Sequence, residues 1–372
     1  MKVFAGICLF GLLLASTMFV SAQTKIPMSQ EEYVRELYSV AGGTEKVENL
    51  IVLVRERGIE FKVTAGLRSL TKSKSKNNAE LLRTLEEANR RREDPKGSAL
   101  PPASEVKAIL EKTRKNTLDS LEEMPDFVVK QRIRRGVSVA GTNNFSGYDR
   151  LVVAVSYRAE GEEEYRLISQ NGIQKQESET KGNYGDVGGT SSTGEFVTVL
   201  ATIFKPESET HFEVVDTDLL RGRKTIVFDF SITKQNAKQM ITSHGYITDS
   251  TTSGMSGRLW IDRELGRVLR IDSKATEIPI DFPITAASRE IDYGWVKIAD
   301  KDYLLPSASE VRLTFRESAR SYESKNSIEF RDYQKYGTEV VILDDDEEFV
   351  EDSGDQNTPQ TPPPLKKPVD QK

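Results

Sequence analysis

The sequence predicts an α+β fold: an open antiparallel β half-barrel of about ten or eleven strands, covered by helices and preceded by a small all-α module. Three observations carry this. From Phe127 onward, apolar residues alternate with polar ones at period two, in runs joined mostly by short turns. Strands so connected are antiparallel, because parallel neighbours need long crossovers. Before Phe127, apolar residues recur at helical spacing instead. The third observation is the hairpin from Gly257 to Asp272, in the stretch that runs on to Trp295. Leu259 and Ile261 alternate there with Arg258, Trp260 and Asp262, the chain turns through Asp262-Arg263-Glu264-Leu265-Gly266, and Leu269 and Ile271 alternate with Val268, Arg270 and Asp272. Gly266 supplies the left-handed φ that such a turn requires. Two strands cannot bury their own apolar faces, so the pair belongs to a larger sheet.

In chain order, Lys2, an apolar run from Val3 to Val20 and the small residues around Ala22 describe a secretory signal peptide over residues 1–22. Cys8, the sole cysteine, lies within it. The mature protein is therefore expected in the periplasm or outside the cell, with no thiol to bridge and a fold that stands on burial. About 350 residues suffice for that, and for two domains. No later segment is apolar enough to span a bilayer, so no transmembrane segment is expected after signal cleavage.

Residues 23–92 read as the helical module. Ser29 can cap a first helix carrying Tyr33, Val34, Leu37, Tyr38 and Val40, which Gly42-Gly43 stops. Thr44 opens a second through Val47, Leu50, Ile51 and Val54, ended by Gly58. Thr64 precedes a third around Leu67 and Leu70, and Asn78 to Arg92 makes a fourth. Pro, Gly and Ser mark 93–104 as a linker. The half-barrel domain is assigned to 105–342, beginning with a helix capped by Ser104 and ended by Pro125. Two stretches interrupt its strands: a Gly/Ser/Thr-rich loop, 182–194, leading into an apolar helix from Phe196 to Phe204, and a polar loop from Gln235 to Gly254. Residues 343–372 are acidic, then Pro-rich, and too poor in apolar side chains to order themselves.

Charge narrows the function. The net charge of −6 resides entirely in that tail, where nine acids face three lysines. A body of zero net charge offers nothing to neutralise phosphates, so no nucleic-acid partner is expected. The basic spots Lys72–Lys76 and Arg90–Arg92 lie among acids and read as solvated surface. His211 and His244 are isolated, and with no mature cysteine no metal site is predicted. Gly188 to Gly194 lacks the Lys-Ser/Thr ending and the parallel strand of a phosphate loop, and no nucleophile elbow occurs. No catalytic residue and no cofactor are predicted, and the chain is read as not an enzyme.

Several segments carry a family likeness. Leu121-Glu-Glu-Met-Pro-Asp-Phe127, Ser192-Thr-Gly-Glu-Phe196, Leu220-Arg-Gly-Arg223, Gly257-Arg-Leu-Trp-Ile-Asp262 with Gly266-Arg-Val-Leu-Arg270, Ile278-Pro-Ile-Asp-Phe-Pro283, Leu304-Leu-Pro306 and Glu329-Phe-Arg-Asp-Tyr333 follow one another in this order. Together they resemble a large group of uncharacterised exported bacterial proteins, from about Ser104 to Gly337. Val129 stands where relatives often carry a cysteine, so any bridge used there is missing here. The helical module, with Val54-Arg-Glu-Arg-Gly-Ile-Glu-Phe61 at its centre, is similar to a short domain recurring in such proteins. More remotely, the order of helix, strands, inserted helix and hairpin resembles the LolA/LolB-like lipoprotein-localisation carrier fold. That resemblance implies a half-barrel whose hollow holds acyl chains, and no catalytic residues. The expected ligand is thus a lipid or acylated protein, sheltered against Phe228, Phe230, Leu259, Ile261, Leu269 and Ile271. The alternative is an envelope protein-interaction scaffold whose sheet core is filled and which docks a protein partner.

Overall fold

The computed structural model describes residues 26–158, 163–175, 187–191, 193–244, 248–317 and 319–336; the predicted signal peptide and acidic tail lie outside them. The chain divides into two units, Met1–Arg92 and Glu93–Lys372.

Among its described residues, the first unit holds four helices: α1 (Gln30–Ala41), α2 (Val47–Arg57), α3 (Ala65–Lys74) and α4 (Ala79–Glu93). Their ends follow local chemistry. Ser29 Oγ accepts the Glu32 N–H at the start of α1, Thr64 Oγ1 accepts the Leu67 N–H at α3, and Asn78 Oδ1 accepts the Leu81 N–H at α4. Thr44, by contrast, does not cap α2; its hydroxyl donates to the Ser39 carbonyl, and α2 begins after Lys46. Tyr33, Leu37, Leu50, Val54, Leu81 and Leu85 form a dry core. Within it the Tyr33 hydroxyl meets Thr71 Oγ1 at 3.0 Å, and burial pushes the phenol up to about 12. Arg57 grips Glu32 with two hydrogen bonds of 2.7 and 2.8 Å, which hold that carboxyl below its usual range.

Among the described residues, the second unit is built on one sheet of twelve strands, antiparallel at every pairing. They are β1 (Phe127–Val139), β2 (Ser146–Tyr157), β3 (Glu163–Gln170), β4 (Ile173–Gln174), β5 (His211–Leu220), β6 (Arg223–Ile232), β7 (Gln239–His244), β8 (Thr248–Asp262), β9 (Val268–Thr276), β10 (Ile284–Ile298), β11 (Lys301–Glu317) and β12 (Arg320–Lys335). Their order is β4-β3-β2-β1-β12-β11-β10-β9-β8-β6-β5, with β7 paired to the start of β8. The first strand thus lies beside the last, and the sheet ends at β4 and β5 without closing. It is an open antiparallel half-barrel.

The sheet has one strand more than the upper count expected, the two-residue β4, and two further differences offset each other. Tyr303–Leu305 and Val311–Phe315, read as separate strands, are one, because β11 runs straight through Pro306. There Asp292 pairs with Ala308 and Tyr293 with Pro306, so Ser307 is skipped and the missing proline N–H falls at an irregularity. Conversely, the expected polar loop 235–254 contains the turn helix α7 (Lys234–Ala237), β7 and the start of β8. Its Ser and Thr residues pair across the β7–β8 ladder, as where Thr242 and Ser250 hydroxyls meet at 3.0 Å. A strand with polar side chains on both faces shows no alternation to read.

Helix α5 (Ala103–Glu122) precedes the sheet and α6 (Thr198–Phe204) interrupts it; both lie against the concave face. Helix α5 also grips the β8–β9 turn. Lys112 Nζ donates to the Glu264 carbonyl at 2.7 Å, Asn116 Nδ2 to those of Leu265 and Gly266 at 3.0 and 3.1 Å, and Arg263 pairs with Glu105. Gly266 has φ +61°, and a Cβ there would come within 2.9 Å of the Lys112 side chain, so the tight turn and the close helix both need glycine.

Candidate functional site

The concave face divides into two apolar regions. Over β6, β8, β9 and β10, five of the six expected ligand-lining residues stand together: Phe228, Phe230, Leu259, Ile261 and Ile271. Each is at most 3% exposed. Their neighbours are Val199, Ile203 and Phe204 of α6 and Ile109 of α5, all buried too. Here the chain's own helices occupy the hollow. The second region, over β1, β2, β3, β11 and β12, is closed by Phe196, whose ring meets Phe127 and Phe330 edge-on at 5.3 and 5.5 Å.

Leu269 is on the other face. Trp260 pairs with Arg270 and Ile261 with Val268, so β9 carries an extra residue at this point. Leu269 and Arg270 both turn outward beside Trp260, and Val268 takes the inward position with Ile271. A bulge of one residue shifts every side chain before it to the opposite face, which alternation alone cannot reveal. The outward cluster is held by ions: Arg270 makes hydrogen bonds of 2.8 and 2.6 Å to Asp292, and Arg221 donates to Asp292 and to the Leu269 and Tyr293 carbonyls. Burial works against the charge on both guanidiniums. It wins at Arg221, which is lowered, while Asp292 and Glu290 raise Arg270.

Beyond the α6 plug, at the end of the sheet where the C-terminal half of α5 passes over β9–β11, a cavity of about 120 Å³ remains. Its apolar wall is Leu121, Phe196, Leu200, Val268, Trp295 and Leu304, and Arg267 and Lys301 lie at its polar side with Glu123 and Asp302. Lys301 Nζ reaches Glu123 at 3.5 Å and Lys297 reaches Asp302 at 3.6 Å. Arg267 Nη1 donates to the Asn116 carbonyl and Ser120 Oγ, tying β9 to α5. Burial lowers its pKa despite the nearby Asp119 and Glu123 charges. None of the six expected residues lines this cavity, although Val268, next to Leu269, does. Its residues come from α5, the α6 entry and three strand ends, a set too scattered for any local sequence signal.

The glycine-rich stretch serves as a strap. Arg135, buried on β1, forms a two-pronged pair with Asp149 on β2 and donates to the Gly188 and Thr190 carbonyls, while Asn326 Nδ2 donates to Thr190 O at 2.7 Å. Gly189 lies over the guanidinium with φ +70°, where a Cβ would meet Arg135 at 2.9 Å. Further on, the Gly194 N–H donates to Glu163 Oε2 and to the Tyr165 hydroxyl. Burial raises the Glu163 carboxyl, only partly offset by the Tyr165 hydroxyl, and Glu195 adds to the rise. Residues 182–186 and 192 of the loop lie outside the described residues.

His211 opens β5 and is exposed, and His244 ends β7. Among the described residues, no three His, Cys, Asp or Glu side chains converge as a metal site, and no helix is long and apolar enough to cross a membrane.

No family model matches the chain, and no curated protein matches it. Among solved structures it is similar to a DUF1329 family protein from Desulfovibrio piger, at 10% identity over 64% of this chain and 95% of that one, with a TM-score of 0.27. It is also similar to a chain of the Pseudomonas aeruginosa MucA/MucB complex, at 10% identity over 59% and 94%, TM-score 0.18. A further structure, of MucB in complex with MucA(peri), matches at 10% identity over 60% and 94%, TM-score 0.16. Scores of this size bear on neither the fold nor the function of this chain.

Proposed function

We propose that the chain is an exported, non-enzymatic binding protein of the periplasm or extracellular space, which shelters an apolar group in the mouth of its half-barrel. Export rests on the N-terminal apolar run, Val3 to Val20, and the small residues up to Ala22. The single observation that carries the binding site is the 120 Å³ cavity walled by Phe196, Leu200, Trp295 and Leu304. An apolar cavity of about 150 Å³ is enough for a benzene-sized guest. At about 120 Å³ the mouth is smaller than that, and suits the end of an acyl chain on a larger ligand, such as a lipid or an acylated protein. A whole acyl chain enters the central hollow only if α6 leaves Phe228, Leu259 and Ile271.

Native mass spectrometry of protein purified from its host tests this. A co-purified species with a short apolar moiety, displaced by a competing fatty acid, is expected. Absence of any bound species together with no uptake of a fluorescent fatty acid would count against it. A second reading, the envelope interaction scaffold, is favoured by the filled centre of the sheet. It expects one stoichiometric envelope protein in a pull-down from a preparation in which no small ligand is found.

A further inference from the structure

Helix α2 is apolar on more sides than its own unit can cover. Leu50, Ile51 and Val54 face the core at 2, 3 and 0% exposure. Between them in sequence, Leu53 packs against that core but stays partly open, and Val52, on the far side of the helix, is 49% exposed. Five consecutive apolar residues on a helix describe an element buried all round, not one lying on a surface. Beside this second face, α1 and α2 leave a groove with a volume of about 390 Å³, floored by Val40, Leu50, Val52 and Leu53. The charged residues lining it are acidic: Glu36 of α1, which the exposed Arg35 meets at 3.5 Å, and Glu45 of the connecting loop, which accepts a hydrogen bond from Asn49 Nδ2 at 2.9 Å. Both helices are about three turns long, which matches a third helix laid between them.

We infer that the groove between α1 and α2 docks a cationic amphipathic helix of a partner protein, whose apolar stripe covers Val52 and Leu53 while its Lys or Arg side chains face Glu36 and Glu45. This stands independently of whether the mouth of the half-barrel binds a ligand. The apolar contact provides affinity, and the acidic rim selects the sign of the partner and its rate of approach.

Fluorescence anisotropy on the full mature chain tests the inference, with two synthetic probes: a 14-residue Leu/Lys helix and its Leu/Glu counterpart. The Leu/Lys helix is expected to bind, more weakly as salt is added, and the Leu/Glu helix not to bind. Val52→Lys places a charge on an exposed position, so the fold is retained; it removes the apolar contact and repels the Leu/Lys helix, and should weaken it by about tenfold or more. The acidic tail is unchanged in that variant, so binding that is equal in wild type and Val52→Lys would assign the probe to the tail and overturn the inference. Equal binding of both probes, or of neither, would also overturn it. Sedimentation gives the remaining outcome: a dimer that Val52→Lys converts to monomer would make a second copy of the chain the occupant, and the partner helix would be wrong.

Discussion

At the centre of the concave face, Phe228 and Leu259 share one buried cluster with Ile203 and Phe204; at its mouth, Val268 and Leu304 look onto a cavity. Both regions have apolar walls, and both draw on β9 and β10. The difference is made by the helices. Helix α6 lies flat on the centre, whereas at the mouth the end of α5 and the ends of β9–β11 leave space that Phe196 and Leu200 only partly fill. An apolar sheet face is thus not itself a binding site; what covers it decides.

The largest test of this contrast uses one substitution at both places. Leu259→Ala should cost about 3–5 kcal/mol in urea unfolding, because a fully buried site cannot collapse. Leu304→Ala, at a half-buried wall next to existing space, should cost less than about 2 kcal/mol. Equal losses would erase the distinction. On the strap side, Asp149→Ala leaves the Arg135 guanidinium buried without its carboxylate and should cost about 3 kcal/mol; a loss below 1 kcal/mol would mean that the strap is not anchored there.

Glu163 gives a pH-dependent effect of smaller size. Its carboxyl is raised in the folded state above the 4.5 of the free group, so the fold binds its proton more tightly than the unfolded chain does. The stability it contributes is full below about pH 4.5 and is lost as pH rises through the folded value. Glu163→Gln should flatten that part of the stability-versus-pH curve, and an unchanged slope would contradict it. The smallest effect is expected at the rim, where Lys301→Met breaks an exposed pair with Glu123 and should shift stability by no more than about 0.5 kcal/mol.

Much of the architecture is legible in the residues. Period-two alternation marks β1, β6 and β8, Ser29 and Thr64 announce their helices through side-chain caps, and Gly266 marks the central turn. What alternation misses are events of one residue. The bulge at Leu269 reverses a face, the skip at Ser307 joins two runs into β11, and the Ser/Thr-rich start of β8 has no apolar alternation to signal its ladder with β7. The site is less legible. Five of the six residues expected to line a hollow do converge, but the same apolar character that gathers them also draws in α6. The mouth combines Leu121, Phe196, Val268 and Leu304, and only the folded sheet brings these together.

Methyl-resolved NMR during titration with hexanoate tests the filled centre and open mouth most directly. Shifts are expected at Leu121, Leu200, Val268, Leu304 and Leu305, with Ile203, Leu259, Ile261 and Ile271 unmoved. The reverse pattern, with the central methyls moving and those of the mouth silent, would show that α6 gives way and that the hollow beneath it is the true site.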